Sequence, residues 1–85
     1  MKRKQSQWLK VRKEAAERDG CACIVCGRPA TDVHHIVFRS QCGKDELNNV
    51  VCLCRHHHKQ AHSEKAKQWR LYFKNYLITH YGNSN

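Results

Sequence analysis

The amino-acid sequence predicts a small α+β domain, with a helix at each end and a strand pair in the middle. Three observations predict it: apolar residues at helical spacing near both ends, β-branched runs in the central third, and closely spaced cysteines and histidines among those runs. The 85 residues include only two Phe, two Trp and three Tyr. A chain this short buries a thin core, so we expect a metal staple to support the fold.

The first helix is predicted over residues 5–18. Trp8, Val11 and Ala15 recur at helical spacing and define an apolar face. Gly20 supplies a stop just beyond the last turn.

The last helix is predicted over residues 63–80, with Ser63 as its N-cap. Its apolar residues form one broad stripe, most of which should face the core. The stripe consists of Trp69, Phe73, Tyr76, Leu77 and His80.

The central segment is predicted to contain two strands, Val33–Phe38 and Val50–Leu53. Residues 40–49 between them should form a loop that turns at Gly43, because glycine tolerates positive φ. Residues 55–62 lack Gly and Pro and are predicted to begin a further helix.

Net charge constrains the partner. Sixteen Lys and Arg against seven Asp and Glu give a net charge of +9 with histidine neutral. A charge this high favours binding to a polyanion, with nucleic acid as the first candidate, over a charged surface that serves only solubility. The sequence shows neither an apolar run near the roughly 20 residues of a membrane span nor a secretory signal. We therefore expect a cytoplasmic protein with no membrane partner, whose thiols stay reduced and are available to metals.

Four ligands for a structural zinc stand at matching spacings. Cys23 and Cys26 form a Cys-x-x-Cys knuckle, in which Gly27 lets the backbone turn. Cys54 and His57 repeat the spacing. Four such ligands close a zinc tetrahedron, and the free energy of binding would be free energy of folding.

Other roles for the cysteines fit the sequence less well. A redox Cys-x-x-Cys needs a thioredoxin-like setting for which the chain has no room. A two-Cys, two-His finger would require a loop of 31 residues, against roughly 12 to 15 in DNA-binding fingers. That finger would use Cys23, Cys26, His58 and His62. Cys21 competes with Cys23 as a ligand, and Cys52 is interpreted as a small buried apolar residue.

The remaining histidines suggest a second, open metal site. His34 and His35 are adjacent in a predicted strand and point to opposite faces, whereas His58 and His62 share one helical face. His34 would complete a three-nitrogen set with coordination positions left open, which marks a catalytic site. His57 and His58 lie about 100 degrees apart around a helix, so each can serve a different metal.

The histidine and cysteine pattern resembles the motif of the HNH nuclease family. The resemblance spans residues 18–62, about half of the chain. It rests on Arg18-Asp19-Gly20, His34-His35-Ile36, the run from Asn49 to Cys54, His57-His58 and His62. It implies a ββα-metal (His-Me finger) fold, a single HNH domain over residues 1–85, and a bacterial or phage DNA endonuclease that nicks or cuts both strands.

The resemblance also implies roles for individual residues. His35 would be the general base, and Asn49 would hold the loop that orients it. His34, His58 and His62 would bind one catalytic divalent ion, Mn, Mg, Ni or Zn. Cleavage would leave 5′-phosphate ends, with weak sequence specificity.

Two positions depart from the family pattern. His34 stands where many relatives have Asp, which makes the site all-nitrogen and suits transition ions better than magnesium. His57 stands where many have Cys and remains a workable zinc ligand. Asn48 precedes Asn49, and the spacing to His58 favours Asn49 as the motif residue.

Phosphate contacts are predicted at Arg39, Arg55 and Lys59, which lie near the motif. We expect DNA as the partner and a monomer or weak homodimer. Two alternatives share the zinc ligands: a non-catalytic zinc-stabilised module that binds nucleic acid, and a small interaction protein whose charge is incidental. Neither needs the histidines that the nuclease would use, which are His34, His35, His58 and His62.

Overall fold

The computed structural model describes residues 5–82 and confirms a small α+β fold. Its strands form one two-stranded antiparallel sheet, and a helix follows directly on the second strand. The elements are α1 (Gln5–Asp19), β1 (Asp32–His35), β2 (Val50–Leu53), α2 (Arg55–Ala61) and α3 (Ala66–Tyr81). Short 3-10 turns at Arg39–Gln41 and Leu47–Asn49 lie in the loop between the strands.

Two small cores lie on opposite faces of the strand pair. In the ladder His34 pairs with Val51 and His35 with Val50, so alternate residues face α1 on one side and α2 with α3 on the other. The α1 side buries Val11, Ala15, Val50 and Cys52. The other side buries Cys23, Ile36, Val51, Leu53, Cys54, Ala61, Phe73 and Leu77. The two neighbouring histidines therefore point into different surroundings.

The first strand is shorter than the predicted Val33–Phe38, because it ends at His35. The N–H of Ile36 still donates to the backbone carbonyl of Asn49, and from Val37 onward the side chain of Asn49 takes the place of backbone pairing. The backbone N–H of Val37 donates to Asn49 Oδ1 at 2.9 Å, and Asn49 Nδ2 donates to the carbonyl of Val37 at 3.1 Å. The side-chain amide of Asn49 thus binds the chain two residues after His35.

The turn in the following loop is made differently from the prediction. The residue with positive φ is Cys42, at 65°, not Gly43. Gly43 is needed for space instead, since a Cβ there would overlap the backbone of Val37 and Phe38. Its N–H donates to the carbonyl of Phe38 at 2.8 Å, so the loop folds tightly back on itself.

The last helix begins later than predicted, at Ala66, and Ser63 is not its N-cap. Ser63 Oγ accepts from the N–H of Lys65 and donates to the carbonyl of Gln60, which stabilises the turn between α2 and α3. Phe73 and Leu77 are buried as expected, whereas His80 is exposed. Neither α3 nor any other helix within residues 5–82 is long and apolar enough to cross a membrane.

A buried ion pair at the end of α1 joins the elements together. Asp19 accepts two hydrogen bonds from the guanidinium of Arg18, one from the hydroxyl of Tyr76 on α3 and one from the N–H of Cys52. Arg18 also donates to the carbonyls of Leu47 and Val50. Burial opposes ionisation of Asp19, but the bonds from Arg18 and Tyr76 outweigh it and hold the pKa of that carboxyl below its ordinary value.

Candidate active site

The four predicted zinc ligands come together at one end of the sheet. A tight hairpin carries Cys23 and Cys26, and the positive φ of Gly27 turns its backbone. Cys54 directly precedes α2, and His57 lies in its first turn. The ligand atoms of the four residues all lie within 4.8 Å of one another, and they could hold a metal ion.

The spacing of these atoms fits zinc. Cys26 Sγ lies 3.7 Å from Cys54 Sγ, and His57 Nδ1 lies 3.3 Å from Cys54 Sγ and 3.6 Å from Cys23 Sγ. Bonds of about 2.3 Å to sulfur give tetrahedral edges of about 3.8 Å, and edges to nitrogen are slightly shorter. Four protein ligands at these separations leave no corner for a substrate, so the cluster is suited to a structural role.

The second group, His34, His58 and His62, lies between β1 and α2. Its ligand atoms also lie within 4.8 Å of one another. The Nε2 atoms of His58 and His62 are 3.3 Å apart, close to the edge of about 3.4 Å that metal–nitrogen bonds of about 2.1 Å would produce. Three ligands of this kind fit one divalent ion and leave positions open.

Neighbouring side chains orient these imidazoles. Asp32 Oδ2 lies 3.2 Å from His58 Nδ1, which fixes the proton on that nitrogen and leaves Nε2 free as a ligand. The Phe38 ring stacks on His62 with centroids 5.0 Å apart. Burial, with the nearby rings of His58 and His62, lowers the pKa of His34 to about 3. His34 is therefore neutral and able to bind metal at physiological pH.

His35 lies on the other face of β1 but lines the same cleft. This open cleft has a volume of about 460 Å³, and His34, His35, Arg39, His58 and His62 contribute to its wall. The His35 ring packs against Trp8 of α1, with centroids 4.8 Å apart. Its Nε2 lies 2.7 Å from a carboxylate oxygen of the buried Asp45. An imidazole and a three-histidine cluster therefore border one space that could admit a phosphate group.

Asn49 lies outside the cleft and contacts the backbone that shapes it. Besides its two bonds to Val37, its Nδ2 donates to the carbonyl of Lys44 at 3.0 Å. The side chain thereby ties the chain after β1 to the end of the loop. Asn48, the alternative motif residue, is exposed.

The three predicted phosphate contacts differ in their surroundings. Arg39 lies over the Trp8 ring at 4.7 Å, and its Nε is 3.3 Å from the carboxylate of Asp45. Arg55 is largely exposed, with Nε 3.6 Å from Asp32. Lys59 is exposed on α2. Of the three, Arg39 is thus the residue that lines the cleft.

The remaining cysteines and histidines stay outside both clusters within the described part of the chain. Cys52 is buried, as predicted, and burial followed by the charge of Asp19 raises the pKa of its thiol to about 12. Cys21, the alternative ligand, is exposed and is not grouped with Cys23. Cys42 is an exposed thiol in the loop. His56 and His80 are exposed.

Sequence reasoning missed the side chains that support the histidines. Asp32, Phe38 and Asp45 all contact a clustered histidine or His35. The position of Asp32 could have been predicted, because side chains alternate along a strand and Asp32 therefore shares a face with His34, two residues later. The position of Asp45 could not, because it lies ten residues from His35 in an irregular loop.

A strand pair followed by a short helix, with a histidine cluster between them, defines a ββα-metal domain. Residues 23–64 match the family model described as HNH endonuclease, and the chain belongs to that family. The description of this family names an endonuclease activity.

The chain is also similar to a protein described as "Uncharacterized protein YdfU" of Escherichia coli (strain K12). The two are 34% identical over 67 residues, which cover 75% of this chain and 17% of that protein. The chain therefore spans less than a fifth of the length of this relative.

Proposed function

We propose that this protein is a metal-dependent endonuclease that hydrolyses phosphodiester bonds of DNA, with weak sequence specificity. The observation that carries the proposal is the shared cleft, where His35 and the cluster of His34, His58 and His62 meet. A purely binding module needs neither group. We place the activity in the cytoplasm of a bacterial or phage-infected cell and assign residues 1–85 to one nuclease domain.

The reaction is an in-line displacement at phosphorus. His35 accepts a proton from water as the water oxygen bonds to phosphorus. The bond from phosphorus to the 3′-oxygen breaks, that oxygen takes a proton from solvent, and a 5′-phosphate end remains. Asn49 keeps the loop closed so that His35 retains its orientation.

His34, His58 and His62 would hold the catalytic ion, which supplies Lewis-acid stabilisation of charge on the phosphate. Their all-nitrogen chemistry favours manganese, nickel or zinc over magnesium. The closed set, Cys23, Cys26, Cys54 and His57, would hold a zinc ion that stabilises the fold.

The basic residues would hold the DNA backbone. Arg39 would contact the phosphate beside the reacting one, and Arg55 and Lys59 would contact phosphates further along the strand. Contacts of this kind release counterions, so affinity should fall steeply with salt. Replacing Arg55 or Lys59 by Ala should weaken binding equally for unrelated sequences and reduce the slope of log Kd against log salt by about one per contact.

The decisive experiment is cleavage of supercoiled plasmid by wild type and His35→Ala. The protein is treated with chelator until one zinc per chain remains, and then receives manganese, nickel, zinc or magnesium in turn. We expect wild type to cleave with at least one ion and His35→Ala to lose at least about 100-fold in rate. His80→Ala, an exposed histidine on α3, serves as the matched control and should cleave normally.

The binding and folding of His35→Ala are checked by DNA titration and thermal melting. If no ion supports cleavage by wild type while DNA is still bound, the nuclease proposal fails, and a zinc-stabilised nucleic-acid-binding module takes its place. If DNA is not bound either, the interaction-protein alternative stands.

A further inference from the structure

Asp45 is a buried carboxylate that no motif of the sequence identifies. It lies in the loop between β1 and β2 and is 6% exposed. Its Oδ1 is 2.7 Å from His35 Nε2 and 3.3 Å from Arg39 Nε. The distance to His35 is that of a charge-assisted hydrogen bond.

The loop is built to hold this carboxylate in place. Asn49 Nδ2 donates to the carbonyl of Lys44, the residue directly before Asp45. Further back, the N–H of Gly43 donates to the carbonyl of Phe38. These hydrogen bonds to the loop backbone hold Asp45 in a more defined position than an unsupported loop would.

The His35 ring is also confined on its face. The Trp8 ring contacts both the His35 ring, with centroids 4.8 Å apart, and the guanidinium of Arg39, at 4.7 Å. The contact with Trp8 restricts rotation of the imidazole, and the hydrogen bond to Asp45 holds its Nε2 atom. The ring therefore has one supported orientation.

A neutral imidazole carries its proton on the nitrogen that faces an acceptor. Since Nε2 of His35 faces Asp45, the proton belongs there and the lone pair belongs to Nδ1. We propose that Asp45 is the positioning residue of His35: it fixes the ring and its tautomer, so that Nδ1 is the atom that accepts the proton of water. The proposal rests on the proposed function for the consequence in catalysis, but not for the tautomer itself.

The tautomer can be read without any reaction. In ¹⁵N-labelled protein at a pH of about 8, long-range ¹H–¹⁵N spectra distinguish the protonated nitrogen of a neutral imidazole from the bare one. We expect wild-type His35 to carry its proton on Nε2. A wild-type spectrum with the proton on Nδ1 would overturn the proposal whether or not any variant folds.

Two variants separate positioning from packing. Asp45→Asn keeps the shape and one acceptor but loses the charge, whereas Asp45→Leu keeps similar volume and offers no acceptor. We expect the fraction of Nε2-protonated His35 to fall from wild type to Asn to Leu. The exposed Glu46→Gln, one residue along the same loop, is the matched control and should leave the spectrum unchanged.

Cleavage gives the second readout. We expect kcat to fall about 100-fold in Asp45→Leu, and less in Asp45→Asn. A kcat that follows the melting temperature of the variants and not the tautomer would reduce Asp45 to a structural residue and contradict the proposal. If wild type cleaves nothing, the nuclease proposal fails, and the spectra still decide the pairing of Asp45 with His35.

Discussion

The two histidine-containing clusters lie side by side and share a helix, yet they are suited to opposite tasks. The closed cluster (Cys23, Cys26, Cys54 and His57) offers three sulfurs and one nitrogen as ligands. The open cluster (His34, His58 and His62) offers three nitrogens. Three thiolates outweigh the charge of a divalent ion, so the closed site would be net negative and would not attract phosphate. Three neutral imidazoles leave the full charge of the ion in place. Ligand chemistry therefore separates the two roles more sharply than position does.

The largest expected effect comes from opening the closed cluster. Cys26 is exposed, so replacing it by Ala removes a ligand without leaving a cavity. We expect Cys26→Ala to lose zinc and its cooperative thermal transition, because zinc binding contributes to folding in a domain of this size. Metal content by mass spectrometry and melting by circular dichroism test this.

Cys42→Ala is the control for that change, since Cys42 is an exposed thiol outside both clusters. It should melt like wild type. A Cys26→Ala variant that melts normally without zinc would show that the closed cluster does not stabilise the fold.

The second effect tests whether stability has a source independent of both clusters. Asp19→Asn breaks an ion pair whose side chains are 10% (Arg18) and 0% (Asp19) exposed, and it leaves the charge of Arg18 uncompensated. We expect a loss of about 3 kcal/mol in the free energy of unfolding, measured by urea denaturation with zinc present. Tyr76→Phe, which removes one hydrogen bond to the same carboxylate, should cost about 1 kcal/mol.

The dependence of stability on pH in the acid range provides a further test of this ion pair. The folded-state pKa of Asp19 lies below its unfolded value of about 3.9, so its stabilisation is present at neutral pH and is lost as pH falls through the folded pKa. The stability difference between wild type and Asp19→Asn should be constant above a pH of about 5 and should shrink below about 4. A difference that grows on acidification would contradict this account.

The third effect concerns the open cluster alone. His62 is an exposed ligand at the end of α2, so His62→Ala should leave the melting temperature nearly unchanged. Because the site would lose one of three ligands, we expect cleavage to fall by more than about 100-fold. Paired melting and plasmid-nicking measurements test this. A variant that unfolds would show that the open cluster also supports the fold.

The smallest effect concerns the residue that orients His58. Asp32→Asn should weaken binding of the catalytic ion by about 10- to 100-fold, while the rate at saturating metal changes little. Titration of activity with manganese measures it. Arg55→Ala is the control, because Arg55 contacts the same carboxylate without contacting the cluster; it should leave metal affinity unchanged.

The sequence predicted the parts of the fold that local rules govern. Alternation along β1 separated His34 from His35, and helical spacing brought Trp8, Val11 and Ala15 to one face. Strand β2 matched its predicted bounds, and Cys52 was buried as expected. Each depends on a few neighbouring residues.

Long-range contacts produced the errors and the omissions. The end of β1 depends on Asn49, whose side-chain amide contacts Val37 although the two residues are twelve positions apart in the sequence. Asp45 reaches His35 only because the loop folds back at Gly43. Arg18 and Asp19 were recognised from the sequence only as part of the family motif. Their ion pair was not predicted, because its partners on α3 are more than fifty residues away.

The seven-residue α2 has a consequence for how such a chain can vary. His57 belongs to one cluster and His58 to the other, on consecutive positions of the helix. Inserting or deleting one residue between Cys54 and His57 would rotate every later side chain by about 100 degrees and so displace ligands of both clusters in a single event. Exchange of one ligand type for another changes only one cluster. A substitution of one ligand in this segment therefore alters the chemistry of one cluster, whereas a change in its length alters the geometry of both.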